Sequence, residues 1–237
     1  MSAGKAWTVF FDDPVPYTTG VRIQESLVQA RLAGSVPDTV LYLQHLPVIT
    51  LGHQGREQHL LVDRTTLKRR GIEIAHASRG GDVTYHGPGQ LVVYPILALG
   101  REEADAHGYL HNLEELAIRT AADFGVRAWR REGKTGAWTD QGKLAAIGIR
   151  LKRWITFHGM SFNVDVDLSY TQLIVPCGLV GEPVTSLKAI LGERCPGMQA
   201  VRASMSRHFA DVCRRSGPHY RASGRLPVAL RGILQTA

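Results

Sequence analysis

Leu110, Leu113, Ala117, Ala121 and Phe124 recur at the spacing of one helical face, and Gly125 follows as a stop. The spacing predicts a helix over Tyr109 to Phe124. A second helix is predicted over Met198 to Arg214, burying Val201, Met205, Phe209 and Val212, with Pro196 just ahead of it. Tyr17 to Leu32 reads as a helix between strands at Trp7 to Phe11 and Val40 to Leu43. Val48 to Leu51 is a short β-rich run closed by Gly52, and a small helix ends over Lys68 to Gly71, where Gly71 suits the C′ position. Ile72 to Ala75 and Leu91 to Ile96 read as strands. Between the two long helices, Val126 to Trp129, Gly136 to Thr139, Lys143 to Leu151 and Ile155 to Val166 have strand character. Consecutive strands on short connections pair antiparallel, so the expected fold is α/β of the α+β kind with a mixed sheet.

No internal repeat, low-complexity tract or long linker divides the 237 residues. One catalytic domain is expected over residues 1–216, with residues 217–237 as a surface-wrapping or flexible tail. The composition, 44% hydrophobic and 21% charged, is that of an ordinary globular protein. No run approaches the ~20 apolar residues that span a bilayer, and Met1 to Phe11 lacks the basic and apolar regions of a signal peptide. A cytoplasmic protein without membrane contact is expected. Cys177, Cys195 and Cys213 form no CxxC pair, which argues against a disulfide framework or a zinc ribbon. The net charge of +7 would attract an acidic partner. A nucleic-acid module would interleave aromatics with Arg and Lys on one surface, a pattern this chain lacks, so no nucleic acid is expected.

Four segments concentrate chemistry. Arg79 to Gln90 holds four glycines and a proline among Arg79, Tyr85, His86 and Gln90, so its backbone can approach a ligand closely. A plain glycine-rich turn is the blander account, and the interleaved polar residues weaken it. The segment lacks the Lys-Ser/Thr of a phosphate loop and the spacing of a dinucleotide fingerprint. Gly142 to Arg150 places Lys143 at the head of an apolar strand, with small Ala145, Ala146 and Gly148 leaving room beside it. A solvated strand-end lysine would be the usual reading of Lys143 alone. Phe157 to Val164 reads as a strand with His158 and Asn163 at its ends, where a structural histidine is the default. Ile174 to Leu179 frames Cys177 between Pro176 and Gly178, a bend that presents the thiol, whereas Cys195 and Cys213 read as packing. His107 and His111 sit one helical turn apart but lack an acidic third ligand, so they read as surface residues and no metal is expected.

Taken together and in order, these segments resemble the lipoyl(octanoyl) transferase family. The resemblance rests on Arg-Gly-Gly-x-x-Thr-x-His-x-x-Gly-Gln at 79–90 with Tyr94 beyond, Gly-Lys-Leu-Ala-Ala-Ile-Gly at 142–148, His-Gly-x-x-x-Asn-Val at 158–164 and Val-Pro-Cys-Gly at 175–178. His45 to Gly52 and Val184 to Leu187 extend it, so it spans roughly residues 40–190. It implies a biotin/lipoate protein ligase-like fold, a mixed β-sheet flanked by helices in a single domain. It implies Cys177 as acyl-thioester nucleophile, with Lys143 tuning the thiol and acting as acid and base. The acyl site would be lined by Arg79, Gly80, Gly81, Asp82, Val83, Thr84, Tyr85 and His86, by Ala146, Ile147 and Gly148, and by Gly159, Met160 and Ser161. The resemblance implies no cofactor. The donor would be octanoyl-acyl carrier protein, and the acceptors the lipoyl domains of 2-oxoacid dehydrogenase complexes and the glycine cleavage H protein. Met160-Ser161-Phe162 departs from the family's usual Phe-Ala-Leu, which bears on pocket shape and preferred chain length. An ATP-dependent lipoate or biotin ligase would share the fold and the strand lysine but needs no nucleophilic cysteine; a scaffold without activity would need neither.

Overall fold

The computed structural model describes residues 4–178 and 181–236. Leu179, the last residue of the cysteine segment, lies outside the described residues, as do Met1 to Ala3, Val180 and Ala237. Strand β1 (Gly4–Phe10) leads through α1 (Tyr17–Leu32) to β2 (Asp38–Leu43), and the two strands pair in parallel across that helix. Next come β3 (Val48–Leu51), α2 (Arg64–Arg69), β4 (Glu73–His76) and β5 (Val83–His86). Then follow β6 (Gln90–Ile96), α3 (Ala106–Ala122), β7 (Trp129–Arg131), β8 (Lys134–Thr139), β9 (Gly142–Lys152) and β10 (Ile155–Asn163). Helices α4 (Leu187–Leu191) and α5 (Met198–Val212), strands β11 (Arg215–Ser216) and β12 (His219–Arg221), and α6 (Val228–Thr236) complete the described chain.

The main sheet has the order β11-β1-β2-β6-β10-β9-β8-β7, with β12 also on β1. It is mixed: β11, β12 and β2 run parallel to β1, and the pairs from β2 through to β7 are antiparallel. A smaller sheet, β4-β3-β5, packs beside it. Both faces of the main sheet are covered, which is why β6 reads as an unbroken apolar run. Leu91 and Val93 pack toward α3 and α5, while Val92, Tyr94 and Ile96 pack toward α1 and α6. The small sheet buries Ile49, Leu51, Val83 and Tyr85 against Leu67, Val166 and Leu173.

Three boundaries differ from the sequence reading. Val126 does not open a strand: Gly125 N donates to Ala122 O and Val126 N to Ala121 O, the paired bonds of a Schellman motif. Val126 is the buried residue that accompanies such a cap, and the strand starts only at Trp129. Helix α3 begins at Ala106 because Asp105 caps it, its carboxylate accepting from His107 N at 2.9 Å. The glycine-rich segment is not all bend, since β5 occupies its centre. Residues 217–236 hold β12 and α6, and α6 buries Leu230 in the apolar layer over α1.

Candidate active site

Lys143 and Cys177 stand 34 positions apart, and backbone pairing brings them together. Lys143 N donates to Pro183 O at 2.9 Å and Thr185 N donates to Lys143 O at 3.0 Å, which laces the segment after the cysteine onto the head of β9. The Lys143 Nζ then lies 3.3 Å from Cys177 Sγ. Lys143 is buried, and its ammonium also sits 5.3 Å from the centre of the Trp138 ring, within cation–π range. Gly136 makes that approach possible: a Cβ there would stand 2.7 Å from Lys143 Cε and 2.3 Å from Ala145 O.

Cys177 has φ 56° and ψ 19°, a left-handed conformation that non-glycine residues hold only under constraint. Gly178 N donates to Val175 O at 3.1 Å, and Val175 N donates to His59 O at 2.8 Å. Asp82 braces the same turn. Its Oδ1 accepts from Val83 N (2.8 Å) and Arg56 N (3.2 Å). Its Oδ2 lies 2.5 Å from His59 Nδ1, close but outside the angular range of a hydrogen bond. Gly178 packs so tightly on that carboxylate that a Cβ would come within 2.6 Å of Oδ2.

The pair opens on a cavity of about 340 Å³. Arg79, Gly80, Gly81, Asp82, Thr84, His86, Ala146, Ile147, Gly148, Gly159, Met160 and Ser161 all line it with Lys143 and Cys177. Val83 and Tyr85 do not. Alternate residues of a strand point to opposite faces, so on β5 Thr84 and His86 face this cavity while Val83 and Tyr85 pack into the core of the small sheet. Tyr85 reaches only a small adjoining chamber of about 30 Å³, shared with Thr84, Lys143, Ala146, Ser161 and Cys177.

Among the described residues, buried Arg79 has no carboxylate on its guanidinium: Nη1 donates to Gly80 O, Nη2 to Thr50 O and Oγ1, and Nε has no partner. Burial holds it below the ordinary arginine range. His86 is held at about 3, first by burial and then by nearby His45. Its Nδ1 bonds Gln90 Oε1 at 2.7 Å; a carboxamide oxygen only accepts, so Nδ1 carries the proton. Gln90 Nε2 donates to Asn163 Oδ1 (2.9 Å) and Asn163 Nδ2 to Thr185 O (2.9 Å), a chain that ends beside Lys143. His158 also lines the cavity, satisfied through Nε2 by Ser78 Oγ at 2.9 Å. Sequence reasoning missed Tyr17, whose buried hydroxyl has no partner at the cavity, and Trp138 and His59. Tyr17 and His59 meet the site from distant segments and had no local signal, whereas Trp138 stands opposite Lys143 in the β8–β9 hairpin, a neighbour that strand register could have shown. Cys195 and Cys213 lie away from the cavity, the buried Cys213 thiol pushed up to about 12. His107 and His111 are exposed, and no metal-binding cluster of His, Cys, Asp and Glu occurs among the described residues.

The sequence profile of the Lipoyl protein ligase A/B catalytic domain matches residues 16–210. The fold agrees with a lipoate-protein ligase A bound with ATP (TM-score 0.79, 13% identity, covering 100% of this chain and 94% of that one). It agrees as well with a putative lipoate protein ligase from Thermoplasma acidophilum with bound lipoic acid (TM-score 0.76, 15% identity, 100% and 94%). The chain therefore belongs to the lipoyl protein ligase A/B catalytic-domain family. Within it, the octanoyltransferase of Syntrophotalea carbinolica is 48% identical over 84% of this chain and 90% of the relative. That of Geobacter metallireducens is 48% identical over 81% and 87%. The chain is an acyltransferase of the octanoyltransferase branch.

Proposed function

We propose that this enzyme moves an octanoyl group from octanoyl-acyl carrier protein to a lysine of a lipoyl domain through a thioester on Cys177. The observation that carries the reading is the 3.3 Å contact of Lys143 Nζ with Cys177 Sγ at the head of an acyl-sized cavity. The Lys143 amine beside Sγ stabilises the negative charge that the sulfur carries when it attacks. In the first step the thiolate attacks the donor carbonyl, the carbon–sulfur bond to the carrier breaks, and the departing thiolate takes a proton from Lys143. In the second, the acceptor amine attacks the Cys177 thioester and gives one proton to Lys143. Cys177 leaves as thiolate, and the starting charges return. No nucleotide enters, because a thioester donor is already activated. Acceptors of this chemistry would be lipoyl domains of 2-oxoacid dehydrogenase complexes and the glycine cleavage H protein.

Intact-protein mass spectrometry after incubation with octanoyl-carrier protein tests the reading. A single octanoyl adduct is expected on the native enzyme and on Cys195→Ala and Cys213→Ala, and none on Cys177→Ala. Acylation that survives Cys177→Ala would overturn the mechanism. Transfer from free octanoate with ATP as fast as from the thioester would replace it with a ligase.

A further inference from the structure

The strand register around the cavity works as a ruler. Strands β9 and β10 pair antiparallel with Ser161 opposite Ala146, Met160 opposite Ile147, Gly159 opposite Gly148 and His158 opposite Ile149. All eight line the cavity, so the cavity follows this strand pair. The first rung marks the reactive end, since Ser161 and Ala146 share the small chamber with Lys143 and Cys177. At the third rung Gly148 and Gly159 face each other, and only glycine fits: a Cβ on Gly148 would stand 2.9 Å from Gly80 O and 3.0 Å from Arg79 Cδ, and one on Gly159 2.3 Å from Val93 O. Neither strand therefore puts a side chain into the cavity at this rung.

At the fourth rung the cavity wall is His158. Its ring stacks on Phe157 (5.1 Å between centroids, 26°) and meets Tyr94 edge-on (6.2 Å, 83°). Its Nε2 is bonded to Ser78 Oγ at 2.9 Å, and its backbone N donates to Gln24 Oε1 at 2.7 Å. Its φ of 56° is left-handed in mid-strand, a strained conformation that Gln24 fixes from α1. On the far side, Ser78 and Phe157 line a separate open groove of about 500 Å³ with Glu25, Gln29 and Arg150. His158 and its bond to Ser78 thus stand between the acyl cavity and that groove.

From the Ser161 rung to the His158 rung is three residues, about 10 Å at ~3.4 Å per residue. An extended eight-carbon acyl chain spans seven bonds, about 9 Å at the ~1.25 Å axial rise that ~1.5 Å bonds with ~111° angles give. Resting on the thioester reading of Cys177, we propose that His158, pinned by Ser78, is the end wall that limits the acyl chain to about eight carbons. Each further carbon would drive the chain into a ring that cannot shift without losing its hydrogen bond and both aromatic contacts.

His158→Gly is the informative variant, because glycine takes φ 56° without strain. Acyl-enzyme formation is read by intact mass from competing thioesters of six to fourteen carbons. The native enzyme should load eight carbons best and drop steeply beyond; in His158→Gly the preference for twelve over eight carbons should rise at least tenfold. Ser78→Ala keeps the ring but frees it, and should shift the same way by less. The same length profile in His158→Gly and native enzyme overturns the proposal. As a second readout, S-alkyl methanethiosulfonates of graded length label Cys177 by disulfide exchange, releasing the sulfinate, whatever the natural donor. A labelling break after eight carbons that moves outward in His158→Gly supports the ruler even where no thioester loads the native enzyme, an outcome that would sink only the mechanism. A break in the same place in both proteins sinks the ruler and leaves the mechanism standing.

Discussion

Lys143 is a buried ammonium with no carboxylate within ion-pair distance among the described residues; its neighbours are a sulfur and an indole face. A buried amine is costly unless something partners it, and the Cys177 sulfur at 3.3 Å is the partner here. Lys143→Met should therefore lower kcat by about 10²–10⁴, the range of a lost acid–base group, with the fold intact by circular dichroism. Lys143→Arg should not rescue it, because a guanidinium does not release its proton near neutral pH. Recovery of more than a tenth of native kcat by arginine would refute the proton-transfer role. Gly136→Ala tests the space beneath the lysine: φ is 128° and the new Cβ would lie 2.3 Å from Ala145 O. It should cost about 1–3 kcal/mol in urea denaturation and depress kcat, whereas an unchanged midpoint would show that strand β8 relaxes freely there. Lys143 and Cys177 were legible because ordered motifs carried them. That Val83 faces the core of the small sheet and Tyr85 reaches only the adjoining chamber was not legible, because a motif gives a stretch of residues, not which face of the strand each occupies. Tyr17 and His59 could not be read at all, since long-range contact alone brings them to the site, whereas Trp138 faces Lys143 across a local hairpin.

At the scale of elements, α1 matches its predicted bounds, while α3 starts three residues earlier than its apolar spacing suggested, at the Asp105 cap. Val126 misled because a β-branched residue after glycine signals a strand start as well as a helix cap, and only the Schellman bonds separate the two. The layer between α1 and β6 carries a consequence for acid stability. It and the adjoining wall bury three imidazoles: His45 held at about 4, His86 at about 3 and His158 at about 3, each mainly by burial. All three lie below the ~6.5 of an unfolded histidine, so the unfolded chain binds these protons first. The stability they contribute is complete above ~6.5 and is lost as pH falls toward the folded values. At pH 5 the loss is about 2 kcal/mol for each, from ~1.36 kcal/mol per unit over ~1.5 units. Carboxylates titrate lower, so a urea midpoint that falls between pH 7.5 and 5 reports the histidines. An unchanged midpoint over that window would mean that they are not buried as neutral rings.

At the scale of the whole molecule, the mixed sheet and the class of fold were legible, but the role of the C-terminal segment was not. Proline and glycine punctuation concealed β12 and α6, which close the edge of β1 and bury Leu226 and Leu230. We propose one domain that includes this segment: truncation after Gly217 should cost at least about 3–6 kcal/mol, at ~1.5–3 for each buried leucine. A truncated protein that melts with the full chain would restore the boundary at residue 216. The charge of the molecule, 28 basic against 21 acidic residues, has a different consequence. Much of the basic excess near the site is neutralised, as where Arg131 and Lys134 both pair with Glu182. Arg56 is not: it is exposed and has no carboxylate partner among the described residues. It adjoins the reactive end of the cavity through its backbone bond to Asp82. A positive field at the mouth steers an acidic carrier toward the thiolate and decays within about 10 Å at 0.1 M salt. Raising ionic strength from low to high should then lower kcat/KM for octanoyl-carrier protein roughly tenfold, chiefly through KM. The neutral octanoyl thioester of N-acetylcysteamine has no charge to be steered, so its kcat/KM should stay flat over the same range. Equal salt sensitivity for both donors would place the effect on the catalytic pair, and a flat response for both would leave the basic excess without a part in donor capture.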